Sequence, residues 1–193
     1  LDYIRTVYHG IDIESFTLNE ARGDYLVYFG RIHPDKGTSE AIQVAKKAGM
    51  RLIIAGIIQD TAYYEEYVKP FLGNDIHYIG SVGPAERNKV LGNAFALLHP
   101  INFNEPFGLS IVEAMACGTP VLAFNRGSMP EIIQNGVNGF IVAGIEEMVN
   151  KLKEVGTISR SVCRRSVEQR FTQEKMVKEY IDVYKEILGR RPV

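Results

Sequence analysis

The sequence predicts an α/β fold built on a doubly wound, parallel, six-stranded sheet. Short apolar runs rich in β-branched residues alternate with longer helical patterns along the chain, which is the order expected of repeated strand–helix units. The runs at residues 52–55 and 94–98 are continuously apolar, as expected of strands that are covered on both faces. The strands should therefore lie parallel, with the helices in the crossover connections.

Each apolar run is assigned to a strand and each longer pattern to the helix that follows it. The predicted strands are residues 25–29, 51–55, 76–79, 95–99, 120–124 and 139–142. The predicted helices are residues 39–48, 63–72, 85–93, 108–117, 130–134 and 146–154, with two closing helices at 159–170 and 173–188. The first helix should be capped at its N-terminus by Thr38 or Ser39.

Composition and charge limit the possible functions. With 193 residues, 46% of them hydrophobic, the chain is long enough for one full-sized core, so a single domain over residues 1–193 is expected. The formal net charge of −1 gives no electrostatic basis for binding nucleic acid or an anionic membrane. No apolar run is long enough to span a bilayer. Cys117 and Cys163 have neither metal-ligand nor redox spacing, and no secretion pattern is present, so a cytoplasmic location is expected.

The loop after the first predicted strand carries two cations. In an open parallel sheet ligands bind at the carboxyl ends of the strands, and Arg31 and Lys36 lie just after such an end. Arginine can hold phosphate oxygens in a bidentate manner and lysine adds a point charge. The alternative is a surface loop whose cations pair with Asp35 and Glu40. A dinucleotide-binding loop is excluded, because no Gly-x-Gly-x-x-Gly follows any strand.

Two carboxylates, Glu105 and Glu113, lie eight residues apart around the start of a predicted buried helix. Pro106 biases Glu105 away from helical geometry, so the helix should begin near residue 107 or 108 with its first amides unpaired. Helical side chains tilt toward the N-terminus, so Glu113 should point back at these amides. The amides favour a phosphate and the carboxylates suit hydroxyls, a combination typical of a sugar-nucleotide site. The alternative is a loop Glu105 and a core Glu113 satisfied by a buried donor.

Together with other segments, these motifs carry a resemblance to a known family. The chain resembles the C-terminal, donor-binding domain of family 4 retaining glycosyltransferases of the GT-B type, whose fold is Rossmann-like. The matching segments are His9-Gly10-Ile11-Asp12…Phe16, the Gly-Arg…Lys-Gly loop, Glu105-Pro106-Phe107-Gly108 with Glu113 as the Glu-x7-Glu motif, Gly127-Ser128-Met129-Pro130-Glu131-Ile132-Ile133…Gly136…Gly139, and Phe171-Thr172…Met176…Tyr180…Tyr184. His9 departs from the pattern, since the family more often has Asn at this position.

The resemblance implies a diphosphate site and catalytic residues. Arg31 and Lys36, in the loop that begins at Gly30, would bind the diphosphate of a nucleoside diphosphate sugar. Backbone amides would lie beside it, namely those of Phe107, Gly108 and Leu109. The residues implied in catalysis are Glu105, Arg31 and Lys36.

The resemblance also implies sites for the remaining parts of the donor. Glu113 would hold the ribose hydroxyls, and Glu105 would contact hydroxyls of the transferred hexose. The base would lie near Ser81 and Val82. It stays open whether the base is uracil, guanine or adenine, and UDP-sugars are among the expected donors.

No metal, other cofactor or nucleic-acid partner is expected. The sequence has no Asp-x-Asp and no cluster with metal-ligand spacing, and cations with helix amides can stabilise a leaving diphosphate instead. His99 ends the fourth strand and is more simply explained as a packed or capping residue than as a general base. Glu131 follows Pro130 at a helix start, where a carboxylate is favourable without any ligand.

The resemblance further implies a missing partner domain. A retaining transfer would need an N-terminal acceptor-binding domain, joined through a hinge at residues 1–20, with the C-terminal segment 171–193 packing toward it. The chain begins at Leu1 and is expected to be a fragment that is inactive alone. Two alternatives stay open: a GT-B sugar-nucleotide epimerase domain and a non-catalytic nucleotide-sugar-binding module.

Overall fold

The computed structural model describes residues 3–189 and contains a six-stranded, all-parallel sheet. The strands are β1 (Tyr25–Phe29), β2 (Arg51–Ala55), β3 (Ile76–Tyr78), β4 (Ala96–His99), β5 (Val121–Phe124) and β6 (Gly139–Val142). Their spatial order is β3-β2-β1-β4-β5-β6. The winding direction reverses between β1 and β4, and this switch point is where an α/β sheet opens a crevice for a ligand. The predicted fold class is confirmed.

Eight α-helices connect and follow the strands within the described residues. They are α1 (Thr38–Ala48), α2 (Thr61–Tyr67), α3 (Pro84–Gly92), α4 (Leu109–Ala116), α5 (Met129–Ile132), α6 (Ile145–Val155), α7 (Arg160–Arg170) and α8 (Gln173–Gly189). Helix α1 packs against α6, whereas α3 and α7 pack against α4. None of the helices within residues 3–189 is both long and apolar enough to cross a membrane.

The sheet owes its stability to strands that are buried on both faces. In β4 and β5 every residue is buried, and Leu97 and Leu122 are fully inaccessible to solvent. Leu26 of β1 pairs in register with Ala96 of β4, so the centre of the sheet is also the centre of the core. Each fully buried leucine contributes about 1.5–3 kcal/mol relative to an exposed one.

Both predicted bounds of the second helix were wrong. The prediction of one helix over residues 63–72 fails, because α2 ends at Tyr67 and a 3-10 turn follows at Lys69–Phe71. Pro70 has no amide to donate to a continuing helix, so the regular pattern stops before it. Helix α2 also begins two residues earlier than predicted, where the side chain of Asp60 accepts a hydrogen bond from the amide of Tyr63 at 2.9 Å.

The predicted cap of α1 was also wrong. Neither Thr38 nor Ser39 caps this helix; its N-cap residue is Gly37, with a φ of +72° and no side-chain hydrogen bond. A Cβ at residue 37 would overlap the backbone carbonyl of Pro100. The close approach to Pro100 and the left-handed conformation therefore both require glycine, and Thr38 becomes the first buried helical residue.

The N-terminal segment is fixed to the beginning of α8. The amide of Ile11 donates to the carbonyl of Phe171 at 2.9 Å, and the amide of Gln173 donates to the carbonyl of Ile11 at 2.9 Å. The expected hinge at residues 1–20 and C-terminal segment at 171–193 each extend past the described residues, since 1–2 and 190–193 lie outside them. Their proposed relation to another domain stays a prediction.

Candidate functional site

A cavity of about 500 Å³ opens at the carboxyl edge of the sheet, beside the switch point between β1 and β4. Its walls come from the end of β1, the loop that follows, the end of β4 and the N-terminus of α4. Eight of the predicted site residues line it: Gly30, Arg31, Lys36, Glu105, Phe107, Gly108, Leu109 and Glu113. The fold therefore brings together two loops and a helix that are distant in sequence.

Ser81 and Val82 do not line this cavity. They follow β3, the outermost strand, which lies two strands away from β1 in the sheet. Ser81 is exposed, and Val82 packs partly against the core. Both residues follow the carboxyl end of a strand, as the loops that line the cavity do. Their implied contact with a nucleotide base stays a prediction.

Lys36 and Glu105 form an ion pair within the cavity. Lys36 Nζ lies 2.6 Å from Glu105 Oε2, and the two side chains are only 17% and 13% exposed. Lys36 Nζ also lies 4.5 Å from the centre of the Phe103 ring. The alternative in which Lys36 pairs with Asp35 or Glu40 is thus not what the structure contains. A partly buried cation and a partly buried carboxylate instead face the same space.

Arg31 lies at the rim of the cavity with a neutral partner. Its guanidinium donates a hydrogen bond to the side-chain oxygen of Gln59, which follows β2. Its backbone carbonyl accepts a hydrogen bond from the hydroxyl of Tyr28 at 2.7 Å. The positive charge of Arg31 is therefore positioned by hydrogen bonds that do not neutralise it. Gln59 was not predicted from the sequence.

Glu113 lines the cavity from the second turn of α4 and forms an ion pair with Arg87 of α3. Arg87 Nη1 lies 2.9 Å from Glu113 Oε1. Burial raises the pKa of Glu113 above its ordinary value, and the positive charge of Arg87 opposes this shift. Arg87 was not predicted from the sequence. A signal was available, because a glutamate in a buried helix needs a partner.

The N-terminus of α4 is open toward ligands. The helix begins at Leu109, one or two residues later than predicted, and no side chain caps it. Gly108 precedes it with a φ of +90°, a conformation that L-residues with a side chain rarely adopt. Because the first amides of a helix have no intrahelical acceptor, this end of α4 can donate hydrogen bonds to an anion in the cavity.

The cavity also contains a neutral histidine. His99 ends β4 and is buried. Burial, together with the positive charge of Lys36, lowers the pKa of His99 to about 3. A neutral imidazole here contributes no charge to the binding of an anion near pH 7, as expected of a packed residue.

No metal site accompanies these residues in the described part of the chain. Within residues 3–189 no group of three or more His, Cys, Asp or Glu side chains is placed to hold a metal ion. The charged groups of the cavity are two cations and two carboxylates, and each carboxylate is already bonded to a cation. Chemically, this arrangement can bind an anion and hydroxyl groups side by side.

Comparison with known proteins decides the family. The sequence model of the family Glycosyl transferases group 1 matches residues 12–164. The chain belongs to this family. Among its relatives, the D-inositol 3-phosphate glycosyltransferase of Mycobacterium avium (strain 104) is 28% identical over an alignment of 158 residues that covers 73% of this chain and 37% of that protein. The predicted resemblance is confirmed for the family Glycosyl transferases group 1. The finer assignment to family 4 stays a prediction.

Solved glycosyltransferases share the fold. A glycosyltransferase involved in avilamycin A biosynthesis superimposes with a TM-score of 0.84 at 24% identity, over 96% of this chain and 58% of that one. The HepE protein of Anabaena, solved in complex with UDP-glucose, superimposes with a TM-score of 0.79 at 23% identity, over 94% of this chain and 57% of that one. This chain thus spans little more than half the length of these solved chains.

Proposed function

We propose that the cavity binds a nucleoside diphosphate sugar and that the chain is the donor-binding half of a retaining glycosyltransferase that transfers a hexose. The observation that carries this proposal is the convergence of Arg31, Lys36, Glu105, Glu113 and the open N-terminus of α4 on one cavity. Family membership supports the reaction class. The UDP-glucose bound to the Anabaena protein makes a UDP-sugar the first donor to test.

Each part of the donor has a partner in this proposal. The diphosphate lies against Arg31, Lys36 and the first amides of α4, where cations and the helix dipole both favour negative charge. The ribose hydroxyls donate to Glu113, and the hydroxyls of the sugar donate to Glu105. The base extends from the cavity toward the loop that contains Ser81 and Val82.

Binding of the donor requires the Lys36–Glu105 ion pair to open. When the donor enters, the diphosphate replaces Glu105 as the partner of Lys36, and the sugar hydroxyls replace Lys36 as the partners of Glu105. Separating a buried ion pair is costly if either charge is left alone. Here both charges exchange one partner for another, so the donor enters without leaving a buried charge unpaired.

The proposed reaction is a transfer with retention of configuration. The bond between the anomeric carbon and the diphosphate oxygen breaks, and the acceptor hydroxyl attacks the same face of the sugar. The acceptor proton passes to an oxygen of the departing diphosphate. Arg31, Lys36 and the amides of α4 stabilise the negative charge that develops on this leaving group, which is a role that a metal ion has in other enzymes.

Calorimetry on the 193-residue chain tests the proposal. UDP, UDP-glucose, GDP-glucose and ADP-glucose are titrated in the presence of magnesium and again with an excess of chelator. At least one nucleotide sugar should bind, and its affinity should be the same in both conditions. If none binds, the donor-site proposal is wrong; if chelation lowers the affinity more than about tenfold, the proposed metal-free diphosphate site is wrong.

A further inference from the structure

Glu113 and Arg87 have different relations to the cavity. Glu113 lines it, whereas Arg87 lies behind Glu113 and does not. Oε1 of Glu113 is engaged by Arg87 Nη1 at 2.9 Å. Oε2 is therefore the oxygen left to accept hydrogen bonds from a ligand.

Arg87 is held in place from two sides. Its guanidinium stacks 4.5 Å from the centre of the Phe16 ring, and Phe16 is itself buried. Its helix, α3, is anchored at the C-terminal end by three side chains from other elements. Tyr25 donates to the carbonyl of Val90 at 2.8 Å, Thr119 to that of Leu91 at 2.6 Å, and Arg160 to that of Gly92 at 2.5 Å.

Stability alone does not explain the Arg87–Glu113 pair. Arg87 Nε is shut off from solvent and has no hydrogen-bond partner within the described residues. A buried ion pair with incomplete hydrogen bonding is often no more stable than apolar residues of the same size. The pair is better explained by its effect on the orientation and charge of Glu113, which is the member of the pair that lines the cavity.

We propose that Arg87 is a positioning residue of the donor site. It holds Glu113 as a carboxylate in one orientation, so that Oε2 accepts hydrogen bonds from the ribose hydroxyls of the nucleotide. This inference rests on the proposed function, because it assigns a role toward the same donor. Arg87 acts through Glu113 and makes no contact with the donor itself.

Electrostatics supports this role. Burial raises the pKa of Glu113, and Arg87 is the charge that opposes the shift. Three titratable groups on other elements near α4 are engaged elsewhere or are neutral. Arg164 of α7 donates to the carbonyls of Phe16 and Ala116, His99 of β4 is neutral, and Lys36 is paired with Glu105. Cys117, just after α4, is a buried thiol whose pKa burial raises to about 11, so it is also neutral.

The test compares two ligands on three variants. The ligands are UDP and 2′,3′-dideoxy-UDP, or the GDP or ADP pair if wild type prefers that base. The variants are Arg87→Met, Arg87→Lys and the control Arg164→Met, which removes a guanidinium from the neighbouring α4–α7 interface and leaves the Arg87–Glu113 pair in place. Arg87→Met should weaken UDP binding about 5- to 30-fold and leave dideoxy-UDP binding unchanged. Only UDP has the ribose hydroxyls that donate hydrogen bonds to Glu113. Arg87→Lys should recover part of the loss, and Arg164→Met should bind both ligands like wild type.

The pH dependence provides a second readout. Without Arg87 the pKa of Glu113 rises further, so Glu113 takes up a proton at a higher pH. Between about pH 8 and about pH 5.5, the affinity of Arg87→Met for UDP should therefore fall at a higher pH than that of wild type.

The outcomes separate this inference from the proposed function. Equal losses of UDP and dideoxy-UDP binding in Arg87→Met would show a general structural role and overturn the inference. An unchanged affinity and pH profile would overturn it as well. Wild type that binds none of the nucleoside diphosphates would overturn the proposed function, and the inference with it.

Discussion

At the scale of single residues, the two carboxylates of the site have different surroundings. Glu105 lies in a loop and is paired with Lys36, which also faces the cavity. Glu113 lies on α4 and is paired with Arg87, which does not. Loss of Glu105 would therefore free a cation for phosphate, whereas loss of Glu113 would leave a partly buried guanidinium without its partner. The two residues should differ in the part of the donor that they recognise.

Substitution of each carboxylate tests this division. Glu113→Ala should weaken UDP and UDP-glucose binding alike, by ~1–3 kcal/mol or about 5- to 150-fold, because both ligands carry the ribose. Glu105→Ala should weaken UDP-glucose binding and spare UDP, since only UDP-glucose carries sugar hydroxyls. Calorimetry with both ligands measures the losses, and Glu113→Gln controls for the shape of the side chain. A loss of UDP binding in Glu105→Ala as large as that of UDP-glucose would refute the assignment.

At the scale of secondary-structure elements, the turn before α5 positions the loop of Glu105. The amide of Ser128 donates to the carbonyl of Glu105 at 2.9 Å, and the hydroxyl of Ser128 donates to the carbonyl of Phe107 at 3.0 Å. Gly127 has a φ of +55°, and a Cβ there would overlap the backbone of Glu105. The loop is thus fixed by a contact that only glycine permits.

Gly127→Ala should displace this loop. The expected effect is a loss of stability of several kcal/mol, larger than the ~1 kcal/mol cost of a left-handed alanine alone. Binding of UDP-glucose should weaken too, because Glu105 moves with the loop. Gly49→Ala is the matched control, since Gly49 has a similar φ of +62° and no atom within 4 Å of the added Cβ. Urea unfolding measures the stability of both variants, and calorimetry measures their binding of UDP-glucose. Equal stability losses in the two variants would contradict the proposed clash.

At the scale of the whole molecule, α8 exposes an apolar surface. Within the described residues α8 buries no side chain, and several of its large apolar residues are more than 40% exposed: Val177, Tyr180, Ile181, Tyr184 and Leu188. The chain spans 37% of its Mycobacterium relative. We propose that this surface faces an acceptor-binding domain.

The chain alone should therefore bind its donor without transferring sugar. The acceptor and the residues that activate it would belong to the proposed acceptor-binding domain, which this chain does not contain. Incubation with radiolabelled UDP-glucose and candidate acceptors should give no labelled product, under conditions where calorimetry records donor binding. Transfer by this chain to any acceptor would refute the prediction.

The sequence by itself determined the sheet and the edge that carries the site. Strand positions follow from local apolar runs, and β1, β2 and β6 have the predicted bounds. Arg31, Lys36, Glu105 and Glu113 could be placed together because parallel strands bring their carboxyl ends to one edge whatever the details of packing. These inferences need only local pattern and general topology.

Only the tertiary structure decided which charges meet. Lys36 pairs with Glu105 across 69 residues of sequence, and Arg87 with Glu113 across 26. Gly37 replaced the predicted cap of α1 because of its contact with Pro100, a residue of another loop. Each of these partners comes from an element that is adjacent only after the strands assemble in the order β3-β2-β1-β4-β5-β6. Ion pairs and close backbone contacts depend on distances of a few ångströms between such elements, and no local pattern in the sequence encodes them.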